Sequence, residues 1–224
     1  MLTVEKAEAA IQSIDESEVK PYQIYWESVK PKNDEEHYWR FVFAHLSVHT
    51  SWNSNVNSYL HLRKTKDQWF GKDKQELTNA LVESRVGLYV RRSQGISLFT
   101  ESFKLDPNAW KKVAGESWIE CRNRLAKKSL GIGLAKTAFA LEMCYPNECD
   151  SVCLDTHMLQ LYGYEPTKQS KITNKAGYLP IEKHWTETCK EKKIPSYIAR
   201  CIFWDKKQHQ KDSRYWSHVF ESNT

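Results

Sequence analysis

Two short stretches decide the fold: Leu130-Gly131-Ile132-Gly133-Leu134-Ala135-Lys136-Thr137-Ala138, and further on Val152-Cys153-Leu154-Asp155-Thr156-His157. In the first, two glycines flank one apolar residue between segments of helical periodicity, 117–128 before and 134 to about 144 after. That pattern is a tight helix-hairpin-helix. Glycine admits backbone conformations closed to other residues, and the turn leaves amide N–H groups free at the next helix's N-terminus. Those donors, with the positive end of the helix dipole, make a seat for phosphate. A Gly-x-Gly is also an ordinary helix C-cap, so its meaning depends on its surroundings.

Outward from the hairpin, most of the chain reads as helix. Val4, Ala7, Ile11 and Ile14 start an amphipathic pattern, and a connector through Pro21 and Pro31 follows it. Asn33 or Asp34 caps a helix carrying Tyr38, Phe41, Val42 and Leu46. A polar bridge over 50–55 then leads to a helix with Val56, Tyr59, Leu60 and Leu62. Further helices are expected at 74–83, 91–103, 180–192 and 195–208, with Asp106-Pro107 opening a short one. Only Ser151-Val152-Cys153-Leu154 looks β-like, and it is too short to build a sheet. The expected class is all-α.

Composition agrees. The chain has 224 residues with 33 Lys+Arg against 28 Asp+Glu, a net charge of +5. Nine Trp, eleven Tyr and eight Phe argue against disorder, which goes with few aromatics and high net charge. Eight Gly and seven Pro without a repeat exclude collagen-like and low-complexity classes. The longest runs of non-glycine apolar residues, Phe41–Ala44 among them, are far short of the ~20 residues of a membrane helix. Met1–Lys6 has no signal-peptide pattern, so an intracellular location is expected, with the six cysteines as free thiols.

With these parts in place, the chain resembles the helix-hairpin-helix (HhH-GPD) DNA glycosylases of the endonuclease III superfamily. The family's pattern is a Gly-apolar-Gly hairpin, a Lys-Thr-Ala helix start, and an apolar-Asp-Thr-His segment nearly twenty residues on. Here these are Gly131-Ile132-Gly133, Lys136-Thr137-Ala138 and Leu154-Asp155-Thr156-His157. Phe43 to Thr50 is similar to the family's early helix, with His49 in the wedge position, and Gly87-Leu88-Tyr89 through Arg92 and Ile96 to the helix before the hairpin. Ile202-Phe203-Trp204 falls where the family's closing helix packs, so the likeness runs from about 36 to 208.

The resemblance implies one HhH-GPD-like unit over 1–224, with a lobe of about 45–160 containing the hairpin at 117–144. A second lobe of about 1–44 plus 161–224 and a cleft between the lobes complete it. One departure matters: Leu134-Ala135 puts two residues between Gly133 and Lys136, where the family usually has one. If the hairpin absorbs the extra residue, Lys136 keeps the direction of the catalytic lysine. If the glycines hold register, Ala135 takes that place and Lys136 turns by about 100°.

The resemblance assigns catalysis to Asp155 and Lys136. Breaking an N-glycosidic bond builds positive charge on the deoxyribose, which a nearby carboxylate stabilises. Asp155 would also orient or deprotonate the nucleophile, either water or a lysine that attacks C1′ to form a Schiff base. Read locally, Asp155 is also a good helix N-cap, which is compatible with remaining ionised, and Lys136 alone is an ordinary helix lysine.

DNA contacts are expected at Gly131, Ile132, Gly133, Ala135, Thr137 and Lys128, and at His49, Trp52 and Asn53 of the bridge, where Asn55 adds another amide. The bridge would fill the gap left by a flipped base. Tyr38, Trp39, Phe203 and Trp204 are base-pocket candidates, although aromatics at helical spacing are more often core. Lys111, Lys112, Arg122, Arg124 and Lys127 are placed for phosphate contact, with a similar basic tail at Lys206, Lys207, Lys211 and Arg214. Cys144, Cys149 and Cys153 have neither the spacing nor the location of the family's iron–sulfur loop, so no metal or cofactor is expected. The expected partner is double-stranded DNA and the expected state a monomer. The alternatives are a base-modifying DNA transferase on the same scaffold and a non-catalytic DNA-binding module.

Overall fold

The computed structural model describes residues 3–164, 175–207 and 219. Among them all regular structure is helical: α1 (Glu5–Gln12), α2 (Glu16–Val29), α3 (Asp34–Leu46), α4 (Trp52–Lys64), α5 (Lys66–Trp69), α6 (Lys74–Glu83) and α7 (Tyr89–Leu105). A 3-10 turn (Pro107–Trp110) leads to α8 (Trp118–Lys128), α9 (Leu134–Cys144), α10 (Thr156–Leu161), α11 (Lys175–Glu191) and α12 (Ser196–Lys207). No helix among them is long and apolar enough to cross a membrane. The chain divides into two compact units, one of 31–140 and one of 1–30 with 141–224.

The 31–140 unit is built around α3. Every residue from His37 to Leu46 is buried, as expected for a helix surrounded by partners. Tyr38 stacks on Phe99 at 5.2 Å, Phe99 meets Trp110 edge-on at 4.6 Å, and Trp39 meets Tyr59 edge-on at 5.6 Å. Most of this unit's aromatics are therefore core. His37 and His45 lie within it, and burial pushes their imidazoles down to about 4 and about 3, so both are neutral. The His37 Nε2 lies 3.2 Å from the Trp110 carbonyl, to which the neutral ring donates.

The other unit packs α1 and α2 with α11 and α12. Residues Tyr197 to Ile202 are buried, with Trp26 against Tyr197 at 4.8 Å. The Tyr22 hydroxyl hydrogen-bonds Asp205, and the Trp185 indole donates to the Ser196 carbonyl at 3.1 Å.

One local expectation is corrected. The connector expected around Pro21 is helix α2. Asp15 accepts from the Ser17 N–H at 2.8 Å, and Glu18 reaches back to the Asp15 N–H at 2.9 Å. This capping box nucleates the helix ahead of the proline, and burial of Val19 and Trp26 offsets the lost i→i−4 bond. The β-looking Ser151–Leu154 forms no strand. Its backbone N–H groups go to side chains: Val152 to Glu182 at 3.0 Å, Cys153 to Glu142 at 3.2 Å and Leu154 to Tyr178 at 3.1 Å. All six cysteines are buried free thiols.

Candidate active site and nucleic-acid interface

The hairpin joins α8 to α9 within the 31–140 unit. A Ser117–Glu120 capping box starts α8, with the Glu120 N–H on the Ser117 hydroxyl at 3.2 Å. Gly131 turns the chain at φ +90°, a conformation L side chains rarely adopt. Ile132 is buried and anchors the turn. A Cβ on Gly133 would meet nothing within 4 Å, so its backbone is open to close approach. The first i→i−4 bond runs from the Thr137 N–H to the Gly133 carbonyl at 3.0 Å. The N–H groups of Leu134, Ala135 and Lys136 precede it and are the helix's unpaired donors.

Helix α7 supports the hairpin from below. A Cβ at Gly95 would lie 2.6 Å from the Leu130 carbonyl oxygen and 3.2 Å from His45 Nδ1, so only glycine allows this approach. The extra residue of the Leu134-Ala135 pair lies inside the first turn of α9, not in the loop. Ala135 and Lys136 are half-buried and Thr137 is buried. The Lys136 ammonium sits 5.6 Å from the Phe139 ring.

The bridge after α3 is shorter than expected, because α4 begins at Trp52 with Ser51 as its N-cap. Trp52 and Asn53 thus lie in a helical first turn, where Trp52 packs on Phe43 at 5.3 Å and Asn53 is exposed. Asn55 is buried. His49 is exposed at φ +49°. Arg92 holds that turn from α7, donating through Nη2 to the Leu46 carbonyl at 3.1 Å and to the Val48 carbonyl.

The basic stretch is partly internal. Arg122 is fully buried, and Arg124 is bound to both Glu116 oxygens at 2.8 Å and to the Ala109 and Lys111 carbonyls at 2.8 Å. That guanidinium pulls the Glu116 carboxyl down to about 2. Arg124 ties α8 to the segment before it and Arg122 is interior, which corrects their expected surface role. Lys127 and Lys128 are exposed, with the Lys128 ammonium 4.9 Å from the Trp110 ring, and Lys112 lies over Trp118 at 5.3 Å. Lys111 pairs with Asp34 at 2.6 Å. Tyr38 and Trp39 belong to the core, with the Tyr38 hydroxyl on Thr100 at 2.7 Å.

Asp155 lies in the other unit as the N-cap of α10. Its Oδ1 accepts from the His157 N–H at 2.9 Å and the Met158 N–H at 3.0 Å. Its Oδ2 is 3.4 Å from Arg200 Nη1, and the side chain remains 21% exposed, so the carboxylate is reachable. Behind it, Arg200 Nε and Nη2 bind Glu142 Oε1 and Oε2 at 3.0 and 2.7 Å. Phe203 and Trp204 are half-buried nearby in α12, with Trp204 edge-on to His157 at 6.1 Å. Lys206 pairs with Glu18 at 2.8 Å and Lys207 is exposed, whereas Lys211 and Arg214 lie outside the described residues.

Sequence reasoning missed Glu142, Arg200 and the support given by Arg92 and Gly95. The first two had a signal. Each is a lone charge in an apolar helical run, Leu141-Glu142-Met143-Cys144 and Ile198-Ala199-Arg200-Cys201-Ile202, and charged residues are seldom buried unless paired.

The arrangement is the all-helical fold of the helix-hairpin-helix DNA glycosylases. No family model matches the chain, and no curated protein matches it in sequence. Among solved structures, the chain is similar to the 8-oxoguanine glycosylase/lyase of Methanocaldococcus jannaschii bound to a 15mer DNA containing 8-oxoguanine. The TM-score is 0.71 at 18% identity, over 92% of this chain and 97% of that one. It is also similar to the 8-oxoguanine DNA glycosylase of Thermotoga maritima, with a TM-score of 0.68 at 16% identity over 90% and 96% of the two chains.

Proposed function

We propose that the chain is a DNA glycosylase that flips an oxidised purine out of duplex DNA, 8-oxoguanine foremost, and cleaves its N-glycosidic bond. The observation that carries the reading is Asp155: a partly exposed carboxylate fixed through both oxygens at a helix N-terminus, in a fold shared with 8-oxoguanine glycosylases. A pure binding module has no use for a carboxylate near anionic DNA. In this reading Asp155 stabilises the oxocarbenium-like transition state and activates the nucleophile. The amides from Gly133 to Lys136 seat a phosphate, and His49 enters the space left by the flipped base. The nucleophile in this reading is water, because the extra residue lies within the first turn of α9 and turns Lys136 by about 100° from the direction of the family's lysine. The protein acts inside the cell as a single HhH-GPD-like unit.

The test is incubation with duplexes carrying a panel of modified bases, followed by mass spectrometry of the released material. Free 8-oxoguanine together with an abasic strand is expected. A mass gain on an intact strand would replace the reading with a base-modifying transferase, and binding without product would replace it with a binding module. Borohydride trapping separates the nucleophiles: a covalent adduct that disappears in Lys136→Gln marks the Schiff base. Base release with no adduct leaves water as the nucleophile.

A further inference from the structure

Asp155 has a cation 3.4 Å away, and this raises a difficulty. A carboxylate neutralised by a neighbouring guanidinium stabilises a developing sugar cation poorly, because the pair presents no net charge. The geometry behind Asp155 resolves it. Arg200 gives Glu142 two hydrogen bonds, at 3.0 and 2.7 Å, and Asp155 a single longer one. Glu142 is fully buried and also accepts the Cys153 N–H at 3.2 Å, which fixes it within the turn that delivers Asp155.

We propose that Glu142 and Arg200 are positioning residues: Glu142 balances the guanidinium, so that Arg200 orients the Asp155 carboxylate without cancelling its charge. The proposal rests on the glycosylase reading of Asp155. Glu142, Arg200 and Asp155 together carry one net negative charge, presented at the only member of the three with appreciable exposure. The other titratable groups facing the pair, the Tyr197 phenol and the Cys201 thiol, are raised well above their usual values by burial and stay neutral. Burial also pushes the Glu142 carboxyl up to about 7 against the pull of Arg200, so the balance is complete only above neutral pH.

The experiment compares two duplexes at pH 8, one with a cationic pyrrolidine and one with a neutral tetrahydrofuran in place of the target sugar. The readout is the ratio of their affinities, together with base release from an 8-oxoguanine duplex. Wild type should prefer the cation. Glu142→Gln keeps shape but frees the guanidinium charge, and should lower that preference by about tenfold while leaving tetrahydrofuran affinity in place. The double variant Glu142→Gln/Arg200→Gln removes both charges and should restore the preference. A merely structural role would move both affinities together. An unchanged ratio in Glu142→Gln, or no recovery in the double variant, overturns the proposal while base release by wild type keeps the glycosylase reading. Absence of both release and cation preference in wild type overturns both.

Discussion

The two units keep their buried ionisable groups differently: the 31–140 unit holds two neutral imidazoles and an Arg92 anchored on main-chain carbonyls, whereas the other pairs a buried guanidinium with a buried carboxylate. The 31–140 unit keeps His37 and His45 neutral inside an aromatic core, and what it offers outward is backbone: the hairpin amides and the turn at His49. The unit of 1–30 and 141–224 buries Glu142 and Arg200 against each other, beside the partly exposed carboxylate of Asp155. Binding a uniform phosphate backbone needs donors on a rigid turn. Stabilising a transient cation needs a charge held in place. In the proposed reading the two tasks go with different interiors: neutral imidazoles in an aromatic core for binding, and a balanced buried ion pair for the chemistry.

Acid should break the comparison most forcibly. His37 and His45 have folded-state values below the unfolded value of about 6.5, so the unfolded chain takes up protons first as pH falls. Each ring then costs about 1.4 kcal/mol per pH unit, roughly 4 kcal/mol for the pair at pH 5. Glu142 runs the other way, because its folded value is raised: its contribution is fully present below about 4.5 and is lost as pH rises through about 7. Denaturation of fluorotryptophan-labelled protein, followed by fluorine NMR, reads the units separately. Between pH 7 and 5 the midpoint at Trp39 and Trp110 should fall, and that at Trp26 and Trp185 should not follow it. Equal falls at all four would erase the contrast.

At the hairpin, Gly133→Asp should leave stability unchanged, since a Cβ there meets open space. It sets a negative charge where phosphate is proposed to sit, and DNA affinity should drop roughly tenfold to a hundredfold. Fluorescence anisotropy with a labelled duplex measures this, and an unaltered Kd would remove the hairpin from the interface. Gly95→Ala drives a Cβ to 2.6 Å from the Leu130 carbonyl. A loss of about 1–3 kcal/mol in urea denaturation is expected, with weaker binding as the hairpin shifts. Gly131→Ala is the mildest, about 1–2 kcal/mol for placing a Cβ in the left-handed region. A neutral result there would mean the turn relaxes without strain.

Local chemistry was legible in the sequence and long-range pairing was not. Asn33, Ser117 and Asp155 announce helix starts because a cap is satisfied within three residues, and Gly131 marks a turn because only glycine is comfortable there. α6 and α9 fall within the spans their periodicity predicts. Helix α2 was hidden because Pro21 argues against helix while the compensating burial of Trp26 against Tyr197 comes from distant sequence. The pairing of Arg200 with Glu142, 58 residues apart, leaves only the weak trace of two charges in apolar runs. The surface role expected for Arg124 failed at shorter range: Glu116 and the Ala109 and Lys111 carbonyls lie beyond one helical turn, where no local pattern announces that the guanidinium turns back to them.

The proposed division of labour between a binding unit and a chemical unit is tested most directly by Asp155→Asn on one 8-oxoguanine duplex, with affinity and single-turnover base release both measured. The account predicts release slowed by about a hundredfold to a thousandfold, with Kd within a few fold of wild type. Unchanged release, or an affinity that collapses while the residual rate holds, would contradict it.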